Sequence, residues 1–348
     1  MSFFNFIEML TSNFALSITV ILTLAVVLVN GWTDAPNAIA TCVATKSISP
    51  RKAIIMAAVF NFLGVIFMCL LSNKIVYTIS GMVNFGGNSH DALIALCSAM
   101  LGIVIWATLA WIFGIPTSES HALIAGLSGA AIALQGGLSG INGSEWIKVI
   151  YGLVLSTFLG FILGYIFSKL IVLLFRKANK RKSQIFFQYA QITGGAAMAF
   201  MHGAQDGLKF IGVFMLGTFL AQGQFIPSAF EIPIWLMVLC SSVMGLGTSI
   251  GGYRIIKTVG MDMVKLEKYQ GFAADMSASL CLFVSTFFGI PVSTTHTKTT
   301  SMMGVAAAKR ISSVKWNIVK DMLITWVLTF PGCGLIGFLI AKLFIVIF

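Results

Sequence analysis

The chain has 348 residues, of which 58% are hydrophobic and only 9% charged, whereas an average soluble domain carries about 25% charged residues. This composition excludes intrinsic disorder, a disulfide scaffold and a collagen-like fibre, and it predicts a polytopic membrane protein. The 22 Lys and Arg residues exceed the 11 Asp and Glu residues. We expect the surplus in cytoplasmic loops rather than on a nucleic-acid-binding surface.

Apolar runs recur along the whole chain. They cover residues 14–33, 53–73, 92–113, 121–134, 147–175, 185–220, 232–250, 269–290, 302–308 with its flank, and 318–348. Because backbone groups inside a bilayer must hydrogen-bond to one another, each run is predicted to be a helix, which makes the fold all-α. A full crossing needs about 20 residues, so 121–134 and the stretch that follows Pro291 are too short to cross alone. No Lys or Arg precedes Lys46, so the first run is expected to remain in the mature protein rather than act as a signal peptide.

Basic residues set the predicted orientation. They cluster at 46–52, 176–182, 254–268 and 309–320. If all four clusters face the cytoplasm, as the positive-inside rule predicts, both termini are extracellular. The pair 92–113 and 121–134 then enters from outside and returns there, while the pair 269–290 and 292–308 enters from inside and returns there. We therefore predict two re-entrant helical hairpins that enter from opposite faces.

Two polar motifs occur once in each half of the chain. The motifs are GWTDAPNAIAT and MHGAQDGLKFIG at 31–41 and 201–212, here called the aspartate islands, and FGIPTSESHA and FGIPVSTTHT at 113–122 and 288–297, here called the tips. The two copies of each motif lie about half the chain apart and in the same order. This predicts two inverted-topology repeats, 1–183 with the basic loop 176–182, and 184–348. Each repeat is expected to contain a broken helix and a re-entrant hairpin, as in many secondary transporters.

The aspartate islands contain Asp34 and Asp206, which the sequence marks as the two acids embedded in apolar runs. A charged side chain at bilayer depth costs about 2.5–3.5 kcal/mol on insertion scales. Each could be a structural cap at a helix break, but a repeated pair favours binding of Na⁺ or H⁺. Asn37 lies one turn after Asp34 and adds a carbonyl ligand for a hard cation. Gln205 precedes Asp206 in the second island, and Lys209 stands where Asn37 stands in the first. Lys209 could balance Asp206, occupy the place of a cation, or hold an anion.

The tips are predicted to bind an oxyanion. Each proline stops the incoming helix, and hydroxyl residues then begin the returning helix, where free N–H groups and the positive dipole end attract anions. The hydroxyl residues are Thr117, Ser118 and Ser120 in the first tip, and Ser293, Thr294 and Thr295 in the second. The alternative is ordinary N-capping. Glu119 is either a further coupling group or faces away. His121 and His296 occupy matched positions and are expected to hydrogen-bond behind the site rather than to ligate a metal.

Taken together, the islands and tips resemble those of the inorganic phosphate transporter family, the secondary phosphate permeases, over nearly the whole chain. The resemblance implies inverted repeats, two re-entrant hairpins, a homodimer, and transport of phosphate with Na⁺ or H⁺, or of a neutral metal–phosphate complex. It implies that Asp34, Asn37 and Asp206 bind cation and phosphate. It also implies phosphate ligands in the tips at Ser118, Ser120, Ser293, Thr294 and Thr295. Gln205, the Ser-Glu-Ser of the first tip and the lysine of the second island depart from the commonest pattern, which leaves the coupling ion open.

The sequence thus predicts a secondary active transporter, not an enzyme, that imports inorganic phosphate by cation-coupled symport through alternating access. A sulfate permease is the near alternative. Phosphate is favoured because it keeps a proton that it can donate to Asp34 or Asp206. An intramembrane aspartyl protease would need a GxGD context that neither island has, and a channel fits paired sites on broken helices less well.

The expected partners are phosphate, Na⁺ or H⁺, the lipid bilayer and a second copy of the chain. No cofactor beyond the coupling cation is expected, with Na⁺ a candidate ligand at Asp34, Asn37 and Asp206. The expected location is the cell membrane.

Overall fold

A computed structural model describes residues 1–86, 88–113, 117–224, 230–250 and 256–348, except for the side chains of 258, 261 and 262. Within these ranges the chain is helical, apart from connecting turns and two isolated β-bridges. The α-helices are, in chain order, Phe3–Ser12 (α1), Phe14–Thr33 (α2), Ala35–Ala44 (α3), Pro50–Leu71 (α4), Lys74–Ser80 (α5), Ser89–Phe113 (α6), Glu119–Gln135 (α7), Gly143–Leu174 (α8), Lys180–Ala221 (α9), Ile234–Ile250 (α10), Lys268–Phe287 (α11), Thr294–Lys309 (α12) and Trp316–Ile347 (α13). A π-helical segment spans Ile256–Asp262. The all-α prediction is confirmed for the described part of the chain.

Several helices are suited to a membrane. Five segments of the described residues are long and apolar enough to cross one: Phe14–Ala44, Pro50–Leu71, Ser89–Phe113, Gly143–Leu174 and Trp316–Ile347. The most apolar windows of α8 and α13 are only 22% and 17% buried inside the protein. Most of their apolar surface therefore points outward, where lipid rather than water would cover it. This agrees with the prediction of a multi-pass membrane protein.

The helices α8 and α13 each bury one narrow stripe. The buried positions are Val149, Gly152, Ser156, Gly160, Gly164, Ser168 and Ile171 in α8, and Val319, Met322, Trp326, Thr329, Cys333, Gly337 and Ala341 in α13. Steps of three and four residues place each set on a single helix face. Many of the side chains are small, which allows close approach of a neighbouring helix.

Each of these two helices packs against the helix pair of the other half. The helix α8 lies against α11 and α12, while α13 lies against α6 and α7. The contacts are tight enough that a Cβ on Gly304 would meet the backbone of Phe161, and a Cβ on Gly129 would meet the backbone of Gly334. The two halves therefore pack in a reciprocal arrangement.

The first aspartate island lies at a helix break, as predicted. The helix α2 ends at Thr33, Asp34 follows, and α3 begins at Ala35 with a proline in its first turn. Pro36 has no N–H to donate to the preceding turn, which interrupts the helical hydrogen bonds.

The second aspartate island is different, and the predicted break in it is wrong. Residues 201–212 lie inside α9, which runs without interruption from Lys180 to Ala221. This stretch contains no proline, so the backbone hydrogen bonds continue past Asp206.

Candidate functional site

The two tips begin the short helices α7 and α12 in the same way. The Ser118 hydroxyl accepts the His121 N–H at 3.3 Å, and the Ser293 hydroxyl accepts the His296 N–H at 3.2 Å. Both serines therefore act as N-caps, with Glu119 and Thr294 as the first helical residues. Capping was the ordinary alternative for these two positions, and it leaves each hydroxyl proton free to donate. Residues 114–116 of the first tip, including Pro116, lie outside the described residues.

The turn that leads into the second tip depends on a glycine. The helix α11 ends at Phe287, and Gly289 follows with φ of 75°, a conformation that glycine adopts without steric cost. The Ile290 N–H then returns to the Ser285 carbonyl at 2.9 Å, which closes the helix end. This turn directs the segment before Thr294 back toward the first half of the chain.

The second tip meets both aspartates. The Thr294 hydroxyl donates to Asp34 Oδ2 at 3.2 Å and lies 3.4 Å from Asp206 Oδ2. Because a hydroxyl has one proton, it donates to one carboxylate at a time. Asp34 and Asp206 are each 1% exposed. The structure thus brings the two islands and the second tip into one buried polar cluster.

Asp34 is held by side chains from both halves. The Asn37 amide donates to Asp34 Oδ1 at 2.7 Å, and the Thr295 hydroxyl forms a short hydrogen bond to the same oxygen. The Thr295 hydroxyl also lies 3.3 Å from the Thr117 carbonyl, which links the second tip to the first. The Asn37 Oδ1 atom is buried, and no described residue forms a hydrogen bond with it. A carboxylate beside a free amide carbonyl suits a hard cation.

Asp206 lies in a more crowded environment. It accepts from Lys209 Nζ at 2.7 Å and from Asn30 Nδ2 at 3.2 Å, and His202 Nε2 lies 3.4 Å from its Oδ2. Ligand atoms of Asp34, His202 and Asp206 all lie within 4.8 Å of one another. These three residues could hold a metal ion or share a proton.

Asn30 and His202 were not assigned a role from the sequence. Each lies four residues before an island aspartate, so helical spacing alone places it on the same face as that aspartate. Polar residues four positions before Asp34 and Asp206 were therefore the signal in the sequence that could have identified Asn30 and His202.

Lys209 connects the two tips. Its ammonium donates to Ser120 Oγ at 2.5 Å in the first tip and to the Val292 carbonyl at 2.6 Å in the second, besides the bond to Asp206. Its side chain is only 1% exposed. The ammonium therefore sits at the junction of both halves, beside the oxygens that the sequence assigns to an anion.

Gln205 and Glu119 also point inward. The Gln205 amide donates to the Ile290 carbonyl at 3.1 Å and accepts from the Thr286 hydroxyl at 3.0 Å, so it supports the second tip. Glu119 is 2% exposed and accepts from the Thr33 hydroxyl at 3.0 Å, next to the break at Asp34. Its Oε2 atom has no hydrogen-bond partner within the described ranges of the chain. The Glu119 side chain is therefore buried beside the break at Asp34.

His121 and His296 meet each other as aromatic rings. Their centroids are 4.4 Å apart in an edge-to-face arrangement, and His296 also stacks on Trp326 at 3.6 Å. Among the residues that the structure describes, both ring nitrogens of His296 are buried without a hydrogen-bond partner. The expectation that His296 hydrogen-bonds behind the site is therefore wrong, and its contribution is packing between the tip helices and α13.

A third embedded acid was missed. Asp275 lies in α11 and is fully buried with Lys298 of α12, so naming Asp34 and Asp206 as the embedded acids was incomplete. Asp275 falls in the run 269–290, and Lys298 directly follows the second tip. They lie 23 residues apart in sequence, and only the packing of α11 against α12 pairs them.

Similarity to known proteins covers nearly the whole chain. The phosphate transporter family (PHO4) matches residues 30–337, a span that includes both islands and both tips. A probable low-affinity inorganic phosphate transporter of Bacillus subtilis is 38% identical over 91% of this chain and 93% of its own length. A protein of the same description from Rhizobium meliloti is 36% identical over 88% and 90%. A putative phosphate permease of Pyrococcus furiosus is 27% identical over 94% and 95%.

The fold is also known from experiment. A solved structure described as the sodium-dependent phosphate transporter superimposes with a TM-score of 0.88. It covers 97% of this chain and 100% of its own, at 22% sequence identity. At that identity the likeness establishes the fold. The length and strength of the family match show that the chain belongs to the phosphate transporter family.

Proposed function

We propose that this protein imports inorganic phosphate by cation-coupled symport and that phosphate binds between the two tips. The observation that carries the proposal is the position of Thr294, whose hydroxyl contacts the carboxylates of Asp34 and Asp206. One tip and both islands therefore surround the same point. Relatives described as inorganic phosphate transporters support phosphate as the substrate.

Hydroxyls, helix N-termini and one ammonium provide the phosphate ligands in this proposal. The helices α7 and α12 direct their N-termini toward the site, and Lys209 adds a positive charge beside Ser120. Thr117, Ser118, Ser293 and Thr295 complete the ligand set. Phosphate retains a proton at neutral pH, and Asp34 or Asp206 can accept it as a hydrogen bond. Sulfate has no such proton, so its oxygens would face a carboxylate without compensation.

Cation binding lowers the negative charge that would otherwise repel phosphate. Asp34, Asn37 and Asp206 form the proposed cation site, with Glu119 as a further coupling group and His202 as an added nitrogen ligand. Either Na⁺ or H⁺ satisfies this scheme, and the sodium-dependent transporter of similar fold favours testing Na⁺ first. Without the cation the carboxylates disfavour phosphate, which couples the two fluxes.

Two inverted repeats, 1–183 and 184–348, provide the alternating access. Matched serine caps at the tips, matched buried stripes in α8 and α13, and the reciprocal packing of these helices support this division. The helices α7 and α12 have 17 and 16 residues. At about 1.5 Å per residue, they are shorter than a hydrocarbon core of about 30 Å, as re-entrant hairpins would be. The loaded site becomes exposed to the cytoplasm when the repeats move against each other.

The protein is proposed to function as a homodimer in the cell membrane, with both termini outside. The basic loop 176–182 and the clusters near Lys46 and Lys309 would then face the cytoplasm.

Uptake of radiolabelled phosphate and sulfate into proteoliposomes tests the substrate. The proposal predicts phosphate uptake that excess sulfate does not block. It also predicts that Asp34→Asn abolishes this uptake while the protein remains monodisperse in detergent. Uptake of sulfate alone, or normal phosphate uptake by Asp34→Asn, would contradict it.

A further inference from the structure

A second buried ion pair lies outside the proposed phosphate site. The side chains of Asp275 and Lys298 are both 0% exposed and contact each other directly. Lys298 lies one turn after Thr294 on α12, and Thr41 lies two turns after Asp34 on α3. At about 1.5 Å per residue, this places Lys298 about 6 Å from Thr294 and Thr41 about 10 Å from Asp34, measured along the helix axes and on the same helix faces.

The Lys298 ammonium is surrounded by three kinds of oxygen. It contacts the Asp275 carboxylate, the Thr41 hydroxyl at 3.0 Å and the Ala38 carbonyl at 3.4 Å. We call these three oxygen acceptors the Lys298 cage. An ammonium has three N–H donors, so the cage satisfies all of them.

The carboxylate of the cage is itself firmly held. Gln191 donates to Asp275 Oδ2 at 2.7 Å, and Thr41 lies 2.8 Å from Oδ1. The cage therefore joins α3 of the first half to α9, α11 and α12 of the second half. The carboxylate, hydroxyl and carbonyl oxygens are thus held in place by buried hydrogen bonds, as the ligands of a binding site are and as an exposed ion pair is not.

Lys209 has the same set of partners. Its ammonium contacts the Asp206 carboxylate at 2.7 Å, the Ser120 hydroxyl at 2.5 Å and the Val292 carbonyl at 2.6 Å. Carboxylate, hydroxyl and carbonyl oxygens are the donors that hard metal cations also select. Two unrelated stretches of sequence thus build one kind of oxygen cage, and in both the protein supplies the cation.

We propose that the Lys298 cage is a monovalent-cation site whose occupant is the protein's own ammonium. Lys298 is a tethered cation that neutralises Asp275, so no free Na⁺ passes through this cage during transport. Removing the ammonium exposes an uncompensated carboxylate with two further oxygen ligands, and Na⁺ then takes its place. The role of the cage in transport rests on the proposed phosphate symport, whereas its affinity for Na⁺ does not.

The test compares four purified proteins: wild type, Lys298→Ala, Lys298→Met and the double variant Asp275→Asn/Lys298→Ala. Melting temperatures are measured in NaCl and in N-methyl-D-glucamine chloride at equal ionic strength. The rise in melting temperature from N-methyl-D-glucamine chloride to NaCl is expected to be several degrees larger for Lys298→Ala than for wild type, because an ion that binds only the folded state stabilises it. Lys298→Met keeps the cage filled by a side chain of similar length, and the double variant lacks the carboxylate. Wild type and both controls keep Asp34, Asn37 and Asp206, so they are expected to share one smaller shift, set by any Na⁺ bound at those residues.

A salt-dependent shift of Lys298→Ala no larger than that of wild type would overturn the proposal and leave Lys298 and Asp275 as a structural ion pair. A Lys298→Ala protein that is aggregated even when purified in NaCl would also count against it, because Na⁺ should restore the missing charge. Phosphate uptake separates this inference from the proposed function. Uptake by Lys298→Ala is expected to require Na⁺ inside and outside the vesicle. If wild type takes up no phosphate, the proposed function fails, and the melting comparison still decides the nature of the cage.

Discussion

Replacing Thr294 with valine tests the centre of the proposed site. The change substitutes a methyl group for the hydroxyl at nearly constant shape, at a position that is 1% exposed. It removes a donor that reaches both carboxylates, at 3.2 Å from Asp34 and 3.4 Å from Asp206. Phosphate uptake should fall because the second tip loses its hydroxyl contact with Asp206 and one of its two hydroxyl contacts with Asp34, of which only that of Thr295 remains.

The size of the loss follows from the bond that is removed. A hydrogen bond to a charged group contributes about 1.5–3 kcal/mol. Since about 1.4 kcal/mol corresponds to a tenfold change in binding, Thr294→Val should weaken apparent phosphate affinity roughly 10- to 150-fold.

Initial rates of phosphate uptake into proteoliposomes, measured over a range of phosphate concentrations, provide the readout. Thr300→Val is the matched control. Its hydroxyl donates to the carbonyls of His296 and Thr297 within α12, so it loses no bond to the islands. The control should transport almost normally and melt close to Thr294→Val. Equal uptake by the two variants would refute the assignment of Thr294 to the site.

Three further substitutions test other parts of the account. Asp34→Asn should abolish gradient-driven phosphate uptake with little change in melting temperature, since the amide keeps the size but not the charge. Lys209→Met should lower the free energy of unfolding by about 3–5 kcal/mol, because it leaves the buried Asp206 carboxylate unpaired. Denaturation in detergent measures this loss. Adding Asp206→Asn is expected to restore the stability but not phosphate uptake. Gly304→Ala should destabilise the protein by about 1–3 kcal/mol, because its new methyl group would meet the backbone of α8. Gly143→Ala meets nothing within 4 Å and should leave the melting temperature unchanged.

The sequence predicts the helices well because the bilayer imposes a simple rule on apolar runs. Each of the ten runs overlaps a helix of the structure. The sequence analysis does not predict the short helices α1 and α5, because their 10 and 7 residues are too few for a membrane-spanning apolar run. The break at Asp34 could be anticipated from Pro36, whereas the expected break at Asp206 came from the repeat alone and proved wrong.

The site was predicted in outline but not in its contacts. The motifs identify Asp34, Thr294 and Lys209, and the structure brings all three together. No motif reveals that Lys209 reaches both tips or that Asp275 pairs with Lys298, because those contacts arise from packing between distant helices. The matched positions of the histidines likewise do not reveal that His296 stacks on Trp326, which lies in the last helix.

The most direct test of the central claim is concentrative uptake of phosphate by proteoliposomes that contain the wild-type protein. One set has an inward Na⁺ gradient at equal pH, and the other has an inward H⁺ gradient without Na⁺. The account predicts that at least one gradient drives phosphate above its external concentration and that collapsing the gradient releases it. Uptake that only equilibrates under both gradients would indicate a channel or a uniporter and would contradict cation-coupled symport.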